Sequence, residues 1–300
     1  MSTPPSRFGT VVTAMVTPFD EEEALDLSAA VTLAKALEQS GTDGIVLGGT
    51  TGEGSTLTDE EKLSLFAAVA EAVTIPVIAG STSNDTAHSI ALTAAASSLG
   101  IAGILVTGPY YNRPSQQGIL GHFEAVCAAT DLPVIAYDIP VRTGRRIAPE
   151  TLRQMANQSR NLVAVKDASA DLTSAAEGIA ELRGRLEWYS GDDSLTLAFA
   201  SLGAVGVISV ASHWGAQEFQ ELFAGVRSGD LDAARRANAR LFESYRFQGN
   251  DVYPNPLPAK AMARHLGFSV GQCRLPMGSA DAALDAQASA VYERLVAARG

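Results

Sequence analysis

Short apolar stretches rich in β-branched residues recur along the chain, with starts about 20 to 35 residues apart. Eight of them can be distinguished: 10–17, 44–47, 76–79, 103–106, 133–137, 162–166, 186–190 and 206–210. Helical patterns lie between them. In the segment 59–72, for example, Thr58 is a candidate N-cap, Glu61 follows three residues later, and an apolar stripe comes next. The alternation predicts βα units with parallel strands.

Eight βα units in one uninterrupted series favour closure into an α/β (β/α)8 TIM barrel over the open, six-stranded sheet of dinucleotide-binding proteins. A helix predicted at 217–227 completes the barrel, and Ser228-Gly229-Asp230 then indicates a stop before a second helix at 231–245. The chain is interrupted by prolines at 254, 256 and 258 and turns helical again towards its end. We therefore predict a barrel at 1–228 and a C-terminal helical extension at 229–300.

Composition narrows the possible partners. The 300 residues are 46% hydrophobic but only 6% aromatic, and the formal net charge is −11. An acidic protein repels nucleic-acid phosphates and anionic membranes, so neither is an expected partner. Segment 1–8 has no apolar signal core, and no uncharged apolar run reaches membrane-spanning length. We expect a soluble, cytoplasmic protein.

Metal and disulfide chemistry are not indicated by the sequence. The two cysteines, Cys127 and Cys273, lie far apart, and the four histidines show no ligand spacing. We expect no metal and no cofactor.

The active site of an α/β barrel lies at the carboxyl ends of its strands, so reactive side chains directly after the apolar stretches are candidates. The second stretch is followed by Gly48–Glu53 and the fourth by 108–114. The fifth leads into 137–144, and the sixth ends in Lys166-Asp167. Hydroxyls, an arginine and a lysine are thus predicted to converge.

Lys166 is the most informative of these residues, because the chain contains only four lysines. Lys35 and Lys62 lie in amphipathic helical patterns and Lys260 in the C-terminal extension, where surface roles suffice. Lys166 instead ends a buried strand, where burial lowers the pKa of the amine and makes it nucleophilic toward a carbonyl. This is the chemistry of a Schiff base. The alternative is a lysine that extends to solvent or pairs with Asp167.

Two further groups at strand ends support this interpretation. Tyr137 ends the fifth strand, where its phenol can exchange protons with an imine at Lys166, although strand-end tyrosines are often packing residues. The Gly48-Gly49-Thr50-Thr51-Gly52 turn presents two hydroxyls and backbone N–H groups toward a carboxylate. Taken by itself, the same pattern is only a turn.

Arg142 lies in a stiff loop after Pro140, and its planar guanidinium suits bidentate binding of a carboxylate. Arg145 and Arg146 lie close by, so position alone does not distinguish Arg142 from solvated arginines.

These segments resemble the dihydrodipicolinate synthase and N-acetylneuraminate lyase family along nearly the whole chain, from Thr13-Ala14-Met15-Val16-Thr17-Pro18-Phe19 to Asn255-Pro256-Leu257-Pro258-Ala259-Lys260 and Leu275-Pro276. The resemblance implies that Lys166 forms the Schiff base with pyruvate, that Tyr137 is the proton donor and acceptor, and that Thr51 and Ile208 bind pyruvate.

Thr50-Thr51 and the loop containing Arg142 are similar to the synthase branch of this family. That similarity implies condensation of pyruvate with aspartate semialdehyde in lysine biosynthesis, with Arg142 holding the semialdehyde carboxylate. It also implies a proton relay in which Thr50 links Tyr137 to Tyr111 of a neighbouring subunit. The expected assembly is a homo-oligomer, in the family commonly a tetramer.

Two alternatives remain open at the level of sequence. One is another pyruvate-dependent aldolase, or a keto-deoxy sugar acid dehydratase or lyase, on the same barrel. The other is an inactive barrel that serves as a binding or regulatory subunit, which the retention of all candidate residues disfavours.

Overall fold

The structure, a computed structural model, describes residues 6–300 and contains a closed barrel of parallel strands. The strands are β1 (Val11–Ala14), β2 (Gly44–Leu47), β3 (Val77–Gly80), β4 (Gly103–Thr107), β5 (Val134–Asp138), β6 (Leu162–Asp167), β7 (Glu187–Ser190) and β8 (Gly206–Ser209). Each pairs with its sequence neighbours, and β8 closes on β1. The predicted (β/α)8 fold is confirmed.

The strands are apolar because both of their faces are buried. One face fills the barrel interior with a tight set of side chains that includes Val12, Val46, Leu105, Ile135 and Ile208. The other face packs against the surrounding helices. These are α1 (Leu27–Gln39), α2 (Asp59–Ala72), α3 (Thr86–Ala96), α4 (Gln116–Cys127), α5 (Pro140–Thr143), α6 (Pro149–Gln158), α7 (Leu172–Glu181), α8 (Thr196–Leu202) and α9 (Ser212–Ser228).

Helix α2 begins where the sequence predicts it. The Thr58 side chain accepts from the backbone N–H of Glu61, and the Glu61 carboxylate accepts from the backbone N–H of Thr58. This capping box fixes the residue at which the loop after β2 ends. The prediction of a surface role for Lys62 is wrong, since only 5% of this residue is exposed.

Four helices follow the barrel: α10 (Leu231–Arg240), α11 (Phe242–Phe247), α12 (Leu257–His265) and α13 (Ala282–Ala297). With α9 and β8 they enclose a second apolar core that includes Phe219, Leu241, Met262 and Leu295. The division of the chain into 1–228 and 229–300 stays a prediction. Within residues 6–300, no helix combines the length and the apolar character needed to cross a membrane.

The continuous helix predicted at 231–245 is wrong. Helix α10 ends at Arg240 and α11 begins at Phe242, with Leu241 fully buried between them. The break lets α10 pack along α9 while α11 turns to contact α13. Burial of Leu241 in the second core outweighs the local helical propensity, and neither glycine nor proline marks the break. Helix α9 begins at Ser212, five residues before the predicted 217, but it is kinked at Gly215, whose φ of −123° and ψ of 26° are not helical.

Candidate active site

The carboxyl ends of β5 and β6 place Tyr137 and Lys166 side by side. The parallel register pairs Tyr137 with Lys166 and Lys166 with Tyr189. The Lys166 Nζ lies 4.2 Å from the centroid of the Tyr137 ring, and the two residues are 6% and 4% exposed. The amine and the phenol therefore meet in a buried position at the barrel mouth.

Asp167 does not neutralise Lys166. Trp188 Nε1 donates to the Asp167 Oδ2 over 3.1 Å, and the hydroxyl of Ser169 donates to its Oδ1 over 2.7 Å. Successive residues of a strand point to opposite faces, so the carboxylate lies on the outer side of the barrel when the amine lies at its mouth. Pairing with Asp167, an alternative at the level of sequence, is excluded by this geometry.

Burial lowers the pKa of Lys166 to about 8, as the sequence predicts. The nearby guanidinium of Arg142 lowers this pKa further, whereas the carboxylate of Asp193 raises it in part. Near neutral pH the amine is therefore neutral far more often than an ordinary lysine. The neutral amine is the form that attacks a carbonyl carbon.

The pKa of Tyr137 is shifted upward, whereas that of Lys166 is shifted downward. Burial raises the pKa of its phenol to about 12, an effect that Arg142 and a hydrogen bond with Thr50 reduce in part. The phenol consequently holds its proton at neutral pH, and it lies beside an amine that holds its proton weakly. This pair is suited to donating a proton to a leaving hydroxyl and taking one back.

The loop after β2 depends on its glycines. Gly48 has a φ of +63°, and a Cβ on Gly54 would lie 1.9 Å from the carbonyl oxygen of Gly48. The compact turn presents the hydroxyl of Thr50 to Tyr137. Thr51 is 3% exposed, and its Oγ1 accepts from the Nδ2 of Asn255 over 3.1 Å.

Two adjoining cavities open at the barrel mouth. The first is lined by residues that include Thr50, Thr51, Tyr137, Arg142, Lys166 and Ile208. The second shares Thr50 and Arg142 with the first and extends along the loop after β2. Six of the seven predicted site residues thus line a single cavity.

The structure also distinguishes among the three arginines of the loop after β5. Arg142 lies on the short helix α5 and lines both cavities. Arg146 turns away and forms an ion pair with Asp171. Among the described residues that line these cavities, Arg145 is absent. Arg142 is therefore the guanidinium available to a bound carboxylate.

Tyr111 is the predicted site residue that does not join the others. Its side chain is 88% exposed, its φ is +68°, and it is not among the described residues that line the two cavities. Its neighbour Tyr110 lines the second cavity instead. Within one subunit Tyr111 does not line the cavity that contains Lys166.

Sequence reasoning missed several polar residues that line the first cavity, among them Asp193 and Asn255. Asp193, 3% exposed, accepts from the backbone N–H groups of Val210 and Ala211 over 3.1 and 2.8 Å, and burial raises the pKa of its carboxyl. It lies three residues after the end of β7, so the strand-end rule applied to the seventh stretch would have found it. Asn255 begins the proline-rich segment that carries the family resemblance, but nothing in the sequence places it beside Thr51.

The prediction of a surface role for Lys260 is wrong. The residue is 1% exposed, and its Nζ lies 2.8 Å from the Oε1 of Glu53 in the loop after β2. Lys35, by contrast, is exposed on α1 as expected. Cys127 and Cys273 are both buried and free. Residues 6–300 contain no group of three or more His, Cys, Asp or Glu residues placed to hold a metal ion.

Comparison with known proteins decides the family. The model of the dihydrodipicolinate synthetase family matches residues 7–294. The chain belongs to the dihydrodipicolinate synthetase family. Among curated relatives in this family, the 4-hydroxy-tetrahydrodipicolinate synthase of Mycobacterium leprae (strain Br4923) is 46% identical over 280 residues, which cover 93% of this chain and 92% of the relative.

Solved structures of dihydrodipicolinate synthases agree over the whole fold. The enzyme from Cyanidioschyzon merolae, solved with lysine bound, has a TM-score of 0.93 and 40% identity, covering 97% of this chain and 99% of that one. The chloride-inhibited enzyme from Acinetobacter baumannii, solved with pyruvate, has a TM-score of 0.90 and 30% identity, covering 96% and 99%. The dihydrodipicolinate synthetase family thus accounts for both the barrel and the C-terminal helices.

Proposed function

We propose that this chain is a class I aldolase-type lyase that condenses pyruvate with aspartate semialdehyde to give 4-hydroxy-tetrahydrodipicolinate in lysine and diaminopimelate biosynthesis. The observation that carries the proposal is the buried amine of Lys166, whose pKa is lowered to about 8 beside the phenol of Tyr137. Relatives that are 42% to 46% identical are named 4-hydroxy-tetrahydrodipicolinate synthase. The geometry of Lys166 and Tyr137 and the names of the relatives both support Schiff-base condensation of pyruvate.

The first step is attack of the neutral Lys166 amine on C2 of pyruvate. The carbonyl oxygen takes up a proton, and the resulting carbinolamine loses water to give a protonated imine. Tyr137 supplies the proton that the leaving hydroxyl needs, and it recovers one when the C3 methyl group loses a proton to form the enamine. Thr51 and Ile208 hold pyruvate in place during these steps.

The second step is attack of the enamine C3 on the aldehyde carbon of the semialdehyde. The new C–C bond leaves an alkoxide, which is protonated as the iminium forms again on Lys166. Arg142 binds the semialdehyde carboxylate, a role that its position on both cavities supports. The substrate's own amino group then displaces Lys166 as the ring closes.

A neighbouring subunit completes the proton relay. Tyr111 of one chain is exposed and does not line the cavity that contains its own Lys166, so we assign it to the site of a partner, where Thr50 links it to Tyr137. The assembly is then a homo-oligomer, and we propose a tetramer. Cytoplasmic biosynthesis fits a chain whose two cysteines are buried and free.

Borohydride reduction in the presence of pyruvate tests the proposal. Peptide mass spectrometry then locates the reduced adduct among the four lysines. We expect the adduct on Lys166, and turnover with aspartate semialdehyde to exceed turnover with other aldehydes and with keto-deoxy sugar acids. Absence of a Lys166 adduct would refute the mechanism, whereas an adduct with a different preferred acceptor would refute only the assigned substrate.

A further inference from the structure

We propose that Lys260 is a positioning residue for pyruvate binding, because its ion pair with Glu53 fixes the loop that carries Thr50 and Thr51. The inference rests on the proposed function of these two threonines. It gives α12, none of whose residues lines either cavity, a part in the active site.

The ion pair is enclosed. Lys260 Nζ lies 2.8 Å from Glu53 Oε1, and the two side chains are 1% and 2% exposed. The same Nζ donates to the carbonyl oxygen of Gln272 over 2.7 Å and lies 4.1 Å from the centroid of the Phe19 ring. Lys260 therefore has a carboxylate, a carbonyl and an aromatic face as neighbours.

The second carboxylate oxygen of Glu53 accepts a hydrogen bond. The backbone N–H of Arg274 donates to Oε2 over 2.9 Å. The Arg274 guanidinium lies 4.2 Å from the centroid of the Phe19 ring and binds the carboxylate of Glu61 over 2.8 and 2.6 Å. Two cationic residues of the extension, Lys260 and Arg274, therefore contact the loop after β2 and the first turn of α2.

The position of Glu53 is transmitted directly to Thr50. The backbone N–H of Glu53 donates to the carbonyl oxygen of Thr50 over 3.1 Å, and Glu53 adopts a φ of +53°, which L-residues rarely adopt. A turn with such a residue persists only where its surroundings hold it. The ion pair with Lys260 and the hydrogen bond from the backbone N–H of Arg274 hold this one.

A second tether reaches the neighbouring threonine. Asn255, two residues before α12, donates from Nδ2 to the Oγ1 of Thr51 over 3.1 Å. Asn255 and Lys260 are close in sequence and both approach the loop from the extension. The loop is therefore set in position by one segment of chain at two points.

A buried ion pair does more to fix the relative position of the two segments that it joins than to stabilise the folded protein. Removing two charges from water costs about as much as their attraction returns, whereas breaking the pair leaves an uncompensated charge in the interior. The pair consequently penalises every arrangement in which the loop and α12 separate or slip. This selects one geometry for Thr50 and Thr51.

Lys260 does not act as a second nucleophile. Among the described residues that line the two cavities, Glu53 is present and Lys260 is not. Its effect on catalysis passes through Glu53 and the threonines.

Lys260→Met tests the proposal, with Arg264→Met as the matched control. Arg264 is a second cation on α12, but it binds Gly271 and Asp285 rather than the loop. We expect Lys260→Met to raise the KM for pyruvate about tenfold, because misplacing a binding group by 1 Å costs up to about 100-fold. The control should stay within about twofold of the parent, because its contacts do not reach the loop.

The readout separates positioning from folding. A merely structural role lowers the fraction of active enzyme, and with it the apparent kcat, but leaves the KM of the folded molecules unchanged. A KM within twofold of the parent, or an equal rise in Arg264→Met, would overturn the proposal. If the parent forms the Lys166 adduct with pyruvate and only the KM result fails, the proposed function stands and this inference alone is lost.

The double variant Lys260→Met/Glu53→Gln keeps the test decisive if Lys260→Met does not fold, because it leaves no unpaired buried charge. We expect its KM for pyruvate to exceed that of the parent. Where both single variants can be measured, the rise should be no greater than the larger of their two effects, since both substitutions remove the same contact. A parent-like KM in the double variant, or a rise equal to the product of the two single effects, would overturn the proposal.

Discussion

Lys166 at the barrel mouth and Lys260 beneath the loop after β2 are both almost fully buried, and burial lowers the pKa of both amines. Their surroundings differ. Lys260 has the carboxylate of Glu53 at 2.8 Å, whereas no described carboxylate forms an ion pair with Lys166, which faces the uncharged ring of Tyr137 at 4.2 Å. Asp193 raises the pKa of Lys166 in part, and Arg142 lowers it. Burial alone therefore does not make a lysine reactive. The ion pair with Glu53 opposes the effect of burial on the pKa of Lys260, whereas no ion pair does so for Lys166.

Lys166→Met gives the largest effect that this comparison predicts. It removes the nucleophile, so kcat should fall on the order of 10⁴-fold or more. Thermal unfolding should show a folded protein with a Tm at or above that of the parent, since an apolar side chain replaces a buried amine. Retention of a few per cent of the parent's activity would contradict the assignment of Lys166.

Tyr137→Phe should lower kcat by about 10²- to 10⁴-fold, because the proton donor is lost while the ring that faces Lys166 is kept. Steady-state kinetics with pyruvate and the semialdehyde measure the change. Trapping of pyruvate on Lys166 should slow by a similar factor. If trapping and turnover both stay within threefold of the parent, the phenol is only a packing group.

Asp138 is a buried carboxyl group with no cation in contact, and it can be compared with the two buried lysines. Its pKa is raised to about 7, chiefly by burial, and its Oδ1 accepts from the backbone N–H of Ile147. A raised carboxyl pKa means that the native state binds the proton more tightly than the unfolded state. Stability is then lost as pH rises from about 4 to about 7, at a total cost on the order of 2–4 kcal/mol.

Asp138→Asn should therefore stabilise the protein by an amount that grows from pH 4 to pH 7 and then stays constant, as measured by urea unfolding across this range. Asp171→Asn is the control of opposite sign, because hydrogen bonds from Ser174 and Arg146 lower the pKa of Asp171 to about 2. That variant should be less stable than the parent at neutral pH, with the difference vanishing as pH falls towards 2. A gain in Asp138→Asn that does not vary with pH would contradict the assigned pKa.

The barrel could be predicted because its signals are local. Each strand is buried on both faces and is therefore a short apolar stretch, and the turn after β2 shows its glycines directly in the sequence. The strand-end rule located Lys166, Tyr137 and Arg142 for the same reason. It would have found Asp193 if it had been applied to the seventh strand.

The contact of the extension with the loop could not be predicted. Glu53 and Lys260 are separated by most of the chain, and no spacing in the sequence pairs them. Only the folded chain brings them to 2.8 Å. The break at Leu241 could not be predicted for the same reason, since it depends on a core assembled from helices that are distant in sequence. Residues whose role is set by a partner far away in sequence leave no local pattern.

The pH dependence of reductive trapping tests the central difference between the two lysines most directly. With subsaturating pyruvate and cyanoborohydride, the rate of adduct formation is measured on each lysine by peptide mass spectrometry between about pH 6 and 10, a range that covers the ordinary lysine pKa near 10.4. The account predicts an adduct on Lys166 whose rate rises with pH to half its maximum near pH 8, and no adduct on Lys260. Half-maximal trapping near the ordinary lysine pKa, or an adduct on Lys260, would contradict it.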